Sequence, residues 1–291
     1  MNILLTGHSG FIGKKLLSLL SKDKKKHKIL CLSRSNKRII KNKNVFYLKC
    51  DLKNIQKFKN KIRRFDPNTL IHLAWEDIPN FNYFNSRKNE VNSKKLIQLL
   101  LDDTNLENLI VSGSCFEIYP PNNSYRYFIN AKKNILKFIK FKKKSRDFRY
   151  QWLRVFYVYG PGQRKQSLIP YIKQSLINNL ELRFKTPSKA HDFIYIDDVC
   201  RFIVSCLKKD IGSNIFDVGT GKTTSVIRIL RNIKNLFKYD LNLSEFLKIS
   251  KNKKFTPKQN ANILSAKKKL NWKPKFSIKS GIKKTLENLD Y

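Results

Sequence analysis

The 291-residue sequence predicts an α/β fold in which a doubly wound parallel sheet is followed by a smaller C-terminal lobe. Three observations predict it. Short apolar segments alternate with stretches of helical periodicity through the first part of the chain, the pattern of strands covered by helices on both faces. The first apolar segment runs directly into a glycine-rich turn, Gly7-His8-Ser9-Gly10-Phe11-Ile12-Gly13, and then into a helix. Beyond Gly160-Pro161-Gly162 the alternation becomes irregular, which places the lobe boundary there.

Asn2 to Thr6 reads as a short buried strand, and Leu16, Leu17, Leu19 and Leu20 after the turn have helical spacing. Further strands are expected at Lys28 to Leu32, Val45 to Leu48, Leu70 to Ala74, Leu109 to Val111 and Trp152 to Phe156. Helices are expected around Ile55 to Ile62, Glu90 to Leu101 and Asn130 to Lys142. The two parts, 1–160 and 161–291, are expected to interleave in one compact unit, without internal repeats or a long linker.

The formal charge of +40 raises the question of nucleic acid, because clustered Lys and Arg neutralise phosphates and release counterions. The basic runs at Lys22 to Lys28, Lys140 to Lys144, Lys251 to Lys254 and Lys267 to Lys269 lie apart, however, and mostly near expected helix ends. They read as solvated faces rather than a specific nucleic-acid surface, although such charge attracts anionic ligands. The cysteines, Cys31, Cys50, Cys115, Cys200 and Cys206, include no CxxC pair, so free thiols in a reducing, cytoplasmic compartment and no metal site are expected. The opening apolar run, Ile3 to Leu5, is too short for a signal segment or a membrane span, and no membrane association is expected.

Thr6-Gly7-x-x-Gly10-x-x-Gly13 is a relative of the GxGxxG dinucleotide turn of Rossmann-type sheets. Glycines permit the tight turn and let backbone approach a pyrophosphate, while the helix N-terminus presents N–H groups and a positive dipole to the anion. Ordinary strand-to-helix turns also use glycine, but a position after the very first strand favours the dinucleotide reading.

Further segments add to the turn: Cys50-Asp51-Leu52, Ile71-His72-Leu73-Ala74, Glu90-Val91-Asn92, Arg154 through Gly162, His191 through Val199, Phe216 through Gly221, and Leu270 through Pro274. In this order they resemble the extended short-chain dehydrogenase/reductase family of NAD(P)-dependent nucleotide-sugar epimerases, dehydratases and 4-ketoreductases, over nearly the whole chain. The resemblance implies an enzyme acting on a nucleotide-linked sugar at C4, with a dinucleotide-binding domain over 1–160, a substrate-binding lobe over 161–291, and a homodimer as one candidate assembly. It assigns Gly7, Gly10, Phe11, Ile12 and Gly13 to the pyrophosphate turn, Asp51 and Leu52 to the adenine, and Leu73 and Ala74 to the floor beneath the cofactor. Asp51 could also be a helix N-cap, but its place at the carboxyl end of the third expected strand favours the adenine contact. His72 reads as a strand residue, and Asp197 with Asp198 as helix-capping residues rather than a catalytic pair.

The second expected strand ends Cys31-Leu32-Ser33-Arg34-Ser35, with no carboxylate for the ribose hydroxyls. Arg34, with Ser33 and Lys37 or Arg38 nearby, could hold a 2′-phosphate, so NADP is favoured over NAD. In the family a Ser or Thr bonds the substrate oxygen, a Tyr moves the proton, and a Lys four residues later lowers the Tyr pKa and holds the nicotinamide ribose. Ser114 is the best match for the serine, with Cys115 as an alternative, and Lys132 for the lysine. Four residues before Lys132 stands Phe128, which has no proton to give. Tyr127 is therefore the provisional proton donor, on condition that it lies before the first regular turn. On the substrate side His191 stands where the family commonly has Arg, which leaves the diphosphate to Arg164, Lys165 or another cation.

Three competing readings carry observations of their own. Gly219-Thr220-Gly221-Lys222-Thr223-Thr224 invites a P-loop, but the required earlier glycine is Phe216. Phe128 would suit a non-catalytic dinucleotide-binding regulator or scaffold, and the basic runs a nucleic-acid binder.

Overall fold

The computed structural model describes residues 1–23, 27–35, 38–184, 186–238 and 259–288. Lys37, part of the first basic run, 24–26, and the whole of the run 251–254 lie outside the described residues. The chain divides into two compact units, one of 1–154 and 203–216, the other of 155–202 and 217–291.

The first unit is built on a seven-stranded sheet. Its strands are β1 (Asn2–Thr6), β2 (Lys28–Ser33), β3 (Val45–Lys49), β4 (Thr69–His72), β5 (Asn108–Ser114), β6 (Arg149–Val155) and β10 (Asn214–Val218), in the order β10-β6-β5-β4-β1-β2-β3. From β3 to β5 all neighbours pair in parallel, with Thr6 opposite Leu32 on one side and His72 on the other. The order reverses between β1 and β4, the switch point at which such sheets bind ligands beyond the carboxyl ends of their strands.

Helices α1 (Phe11–Leu20), α2 (Lys59–Phe65), α3 (Tyr83–Asp103) and α4 (Arg126–Lys143) cover the sheet. Leu4, Leu30, Leu70 and Leu109 of the strands are buried together with Leu96, Leu100, Ile135 and Ile139 of α3 and α4. At roughly 1.5–3 kcal/mol for each large aliphatic side chain, this burial is the main force holding the layers together. The expected helix at Ile55 to Ile62 is a 3-10 helix over Leu52–Phe58 leading into α2, with a kink at Asn54.

In the second unit β7 (Tyr157–Tyr159) pairs in parallel with β9 (Phe193–Tyr195), and β8 (Ala190–His191) pairs antiparallel with β11 (Thr224–Ser225). Helices α5 (Leu168–Ile177), α6 (Ile196–Lys208), α7 (Val226–Phe237), α8 (Leu264–Leu270) and α9 (Ile278–Glu287) surround them. Asp197 and Asp198 lie in the first turn of α6, where carboxylates suit the helix dipole. The fully buried Asp198 accepts from the Lys275 and Phe276 amides and pairs with Arg201, so it ties the segment before α9 to α6. Among the described residues no helix is long and apolar enough to cross a membrane.

Candidate active site

The glycine turn sits at the carboxyl end of β1. Gly7 has φ +74°, and a Cβ there would stand 2.8 Å from the Ala74 amide nitrogen and 2.8 Å from the Leu73 carbonyl carbon. Gly13 approaches still more closely: its Cβ would lie 2.0 Å from the Gly7 carbonyl oxygen. Gly10 differs, because its missing side chain would meet only the Gly7 oxygen at 3.2 Å and the residue is exposed. Two glycines thus close the turn against Leu73-Ala74 and against α1, and the third keeps its outer surface bare. Phe11 and Ile12 open α1, and no side chain caps that helix end. A bare turn at a helix N-terminus matches a dinucleotide pyrophosphate in shape and in charge.

Asp51 caps the 3-10 helix, its Oδ1 accepting from the Lys53 amide at 2.8 Å, with Leu52 next to it at the helix start. The N-cap role is therefore realised. Arg34 reaches Glu76, Nη1 to Oε2 at 3.2 Å, and Lys88 reaches the same oxygen at 2.6 Å. Arg34, the candidate for a 2′-phosphate, thus has its charge answered by a carboxylate from the segment after β4.

Along the same carboxyl edge β5 ends in Ser112-Gly113-Ser114. The Ser114 amide donates to Glu117 Oε1 at 2.7 Å, while Ser114 Oγ accepts from the Phe116 amide, a reciprocal capping box. The hydroxyl keeps its own proton for an outside acceptor. Cys115, the alternative, points into the interior and is buried. Glu117 also takes the Trp152 indole N–H, at 3.1 and 3.0 Å. Burial pushes its carboxyl above the usual range, against the pull of these hydrogen bonds and of Lys132 and Arg154.

Lys132 is buried on α4, with Nζ bonded to the Ser112 carbonyl at 2.7 Å and 4.0 Å from the centre of the Trp75 ring. Burial lowers its pKa to about 7, partly offset by the Glu117 carboxylate. Phe128, one turn earlier on the same face, is 7% exposed. Its ring lies 5.1 Å from Trp75, 4.7 Å from Phe81 and 5.8 Å from Lys132 Nζ. Tyr127 faces elsewhere: its hydroxyl accepts from Arg126 at 2.8 Å and its ring packs on Tyr83. It lies inside α4, not before its first turn, so the condition under which Tyr127 could serve as proton donor is not met. The reason is helix phase, since about 100° separates adjacent positions.

His72 is buried at the end of β4, its Nδ1 2.7 Å from Thr6 Oγ1 and its Nε2 2.9 Å from Ser93 Oγ. Ser93 donates to the Asn89 carbonyl, so it accepts from His72; the imidazole carries its proton on Nε2 and takes one from Thr6 on Nδ1. Burial and Lys132 depress its pKa to about 3. It is a neutral strut under the Leu73-Ala74 segment.

The second unit holds Arg164, exposed before α5, and His191 on β8. The His191 ring stacks 4.1 Å from Tyr157, and burial with Lys189 lowers its pKa to about 4, which leaves it uncharged at neutral pH. The P-loop reading fails here. Asp192 accepts from the Thr220 and Gly221 amides and from the Thr220 hydroxyl, so a carboxylate already occupies the amides that would cradle phosphate.

Sequence reasoning missed Trp75, Glu76, Phe81 and Glu117. The Ser114-x-x-Glu117 spacing is a capping-box signal that could have found Glu117; the others have no local signature. Among the described residues no group of three or more His, Cys, Asp or Glu is placed to hold a metal ion.

Comparisons with known proteins agree with this geometry. The profile of the NAD dependent epimerase/dehydratase family matches residues 3–219. The chain is 26% identical over 307 residues to the CDP-abequose synthase of Salmonella muenchen, covering 98% of this chain and 96% of that protein. It is also 26% identical over 314 residues to the UDP-glucuronate 4-epimerase of Thermodesulfobacterium geofontis, covering 97% and 94%. The crystal structure of UDP-glucose 4-epimerase with UDP-glucose from Thermotoga maritima superposes with a TM-score of 0.82 at 21% identity, covering 99% of this chain and 98% of that one, a likeness of fold. From the glycine turn on β1 to the strand that precedes Gly219, the chain belongs to the NAD dependent epimerase/dehydratase family.

Proposed function

We propose that this protein is an NAD-dependent enzyme that oxidises or reduces C4 of a nucleotide-linked sugar, as an epimerase or a 4-ketoreductase does. The observation that carries the reading is the shared edge: the bare glycine turn after β1, the Leu73-Ala74 floor after β4, and Ser114 with Lys132 beside β5 all lie at the carboxyl ends of adjacent strands. In this reading the first unit binds the dinucleotide, through Gly7, Gly10, Phe11, Ile12, Gly13, Asp51, Leu52, Leu73 and Ala74, and the second binds the sugar nucleotide through Arg164 and His191.

When bound, the nicotinamide supplies the two-electron acceptor or donor for interconverting a secondary alcohol and a ketone. Ser114 Oγ, whose lone pair takes the Phe116 amide, donates to the sugar oxygen. Lys132, fixed by the Ser112 carbonyl and tuned by burial toward neutrality, both holds the nicotinamide ribose and stands in for the missing phenol as proton carrier. Trp75 and Phe128, the latter backed by Phe81, form an aromatic wall beside its ammonium.

For the cofactor, the pairing of Arg34 with Glu76 favours NAD, with NADP as the weaker ligand. The buried free thiols suit a reducing, cytoplasmic compartment. Exposed Phe84 on α3 and Phe141 on α4 offer apolar surface to a second copy of the chain. A second reading, a dinucleotide-binding protein without turnover, is favoured by Phe128 on the Lys132 face. Incubation with NAD and a panel of UDP-, CDP- and dTDP-sugars, followed by product chromatography, separates the two: new sugar-nucleotide peaks support the enzyme, and their absence with intact NAD binding supports the binder.

A further inference from the structure

We infer that Glu76 is the residue that sets the choice between NAD and NADP, by neutralising Arg34 from across the switch point. This inference rests on the proposed dinucleotide site. The strand end that meets the adenosine ribose in such sheets is the end of β2, and it carries a cation, Arg34, with no carboxylate beside it in sequence. The fold brings one in from the segment after β4. Glu76 is 14% exposed against 59% for Arg34, so the carboxylate is the fixed partner and the guanidinium the one that folds onto it.

Glu76 is held from three directions. Its amide donates to Asn89 Oδ1 at 2.7 Å, its carbonyl accepts from Asn89 Nδ2, and its carboxylate takes Lys88 at 2.6 Å from α3. Lys88 in turn leans toward Asp77 at 3.5 Å. Four charges, Arg34, Lys88, Glu76 and Asp77, therefore sum to zero where a 2′-phosphate would add two negative ones. A 2′-hydroxyl carries no charge and meets no such opposition. The arrangement admits NAD and makes a 2′-phosphate compete with Glu76 for Arg34.

The test is isothermal titration of NAD and NADP into the full-length protein and its Glu76→Gln and Arg34→Ala variants, each checked for folding by circular dichroism. Glu76→Gln is expected to tighten NADP about tenfold and to change NAD by no more than about threefold, a shift of the size expected when one fixed charge near an anion is removed. Arg34→Ala, an exposed change that leaves the fold alone, is expected to weaken NADP about tenfold and to spare NAD, and in the double variant the gain from Glu76→Gln should disappear. An unchanged NADP to NAD ratio in folded Glu76→Gln overturns the inference, as does Arg34→Ala with unaltered NADP affinity. If neither dinucleotide binds the parent protein, the proposed function falls as well, so the two failures are distinguishable.

Discussion

Replacing Phe128 with tyrosine adds one hydroxyl to the helix face that carries Lys132, and the structure gives both the cost and the gain. The ring is 7% exposed and bounded by Trp75, Phe81 and Phe116. A buried hydroxyl left without a partner costs roughly 1–3 kcal/mol. Lys132 lies near the ring, with Nζ 5.8 Å from its centre, and a positioned cation lowers that cost. For a chain of this size the loss corresponds to a fall in Tm of at most about 2–4 °C per kcal/mol. Against this, a positioned proton donor contributes about 10²–10⁴ in rate, or about 3–5 kcal/mol of barrier. The rate term wins. Phe128→Tyr should therefore raise kcat on a sugar nucleotide by about a hundredfold or more, with a thermal midpoint lower by no more than about 12 °C. Tyr127→Phe in the same assay should change nothing, because its hydroxyl is turned to Arg126. A folded Phe128→Tyr variant with unchanged turnover would refute the reasoning that this face of α4 addresses the reacting carbon.

The glycine turn predicts opposite outcomes for neighbouring glycines. Gly13→Ala drives a Cβ to 2.0 Å from the Gly7 oxygen and should cost about 1–3 kcal/mol of stability by denaturant titration, whereas Gly10→Leu should unfold no earlier than the parent and yet lose dinucleotide binding by calorimetry. Undiminished NAD affinity in folded Gly10→Leu would count against the pyrophosphate assignment. Because the folded-state pKa of His72 is depressed to about 3 from 6.5, the unfolded chain binds the extra proton between those values, and stability should fall as pH drops through that window. The contribution from this one group approaches about 1.4 kcal/mol per pH unit, and His72→Gln should flatten the slope in urea titrations between pH 6 and pH 4 by roughly that amount. An equal slope in both proteins would remove His72 as the cause.

Much of the first unit was legible because its information is local. Short apolar segments placed β1 through β6 closely and helical periodicity located their helices, although α3 begins at Tyr83, well before the expected Glu90, and Gly7, Gly10 and Gly13 announced the turn by their spacing together with their position after the first strand. What escaped is what the sheet assembles from afar. Arg34 and Glu76 are far apart in sequence, yet β2 and β4 flank β1, so the segments after them are two strand spacings apart, roughly 10 Å, a gap that these two side chains close together. The NADP expectation was read from β2 alone and could not include a carboxylate delivered by β4. Tyr127 was carried as proton donor on the supposition of a late helix start, but α4 begins at Arg126 and regular helix phase turns Tyr127 away while keeping Phe128 with Lys132. The rings packed on Phe128, Trp75 and Phe81 from the segment after β4 and Phe116 from the 3-10 turn after β5, had no periodicity to mark them.

The central claim, turnover of a nucleotide-linked sugar with a nicotinamide dinucleotide, is tested most directly by giving the purified protein reduced NAD together with UDP-, CDP- and dTDP-linked 4-keto sugars and following the near-ultraviolet absorbance of the reduced nicotinamide. Parallel samples with the corresponding 4-hydroxy sugars and NAD are analysed for the C4 epimer. The account predicts loss of absorbance or appearance of the epimer with at least one substrate, abolished in Ser114→Ala and Lys132→Met and accelerated in Phe128→Tyr. Tight NAD binding with neither change for any substrate, and no gain of turnover in folded Phe128→Tyr, would contradict it.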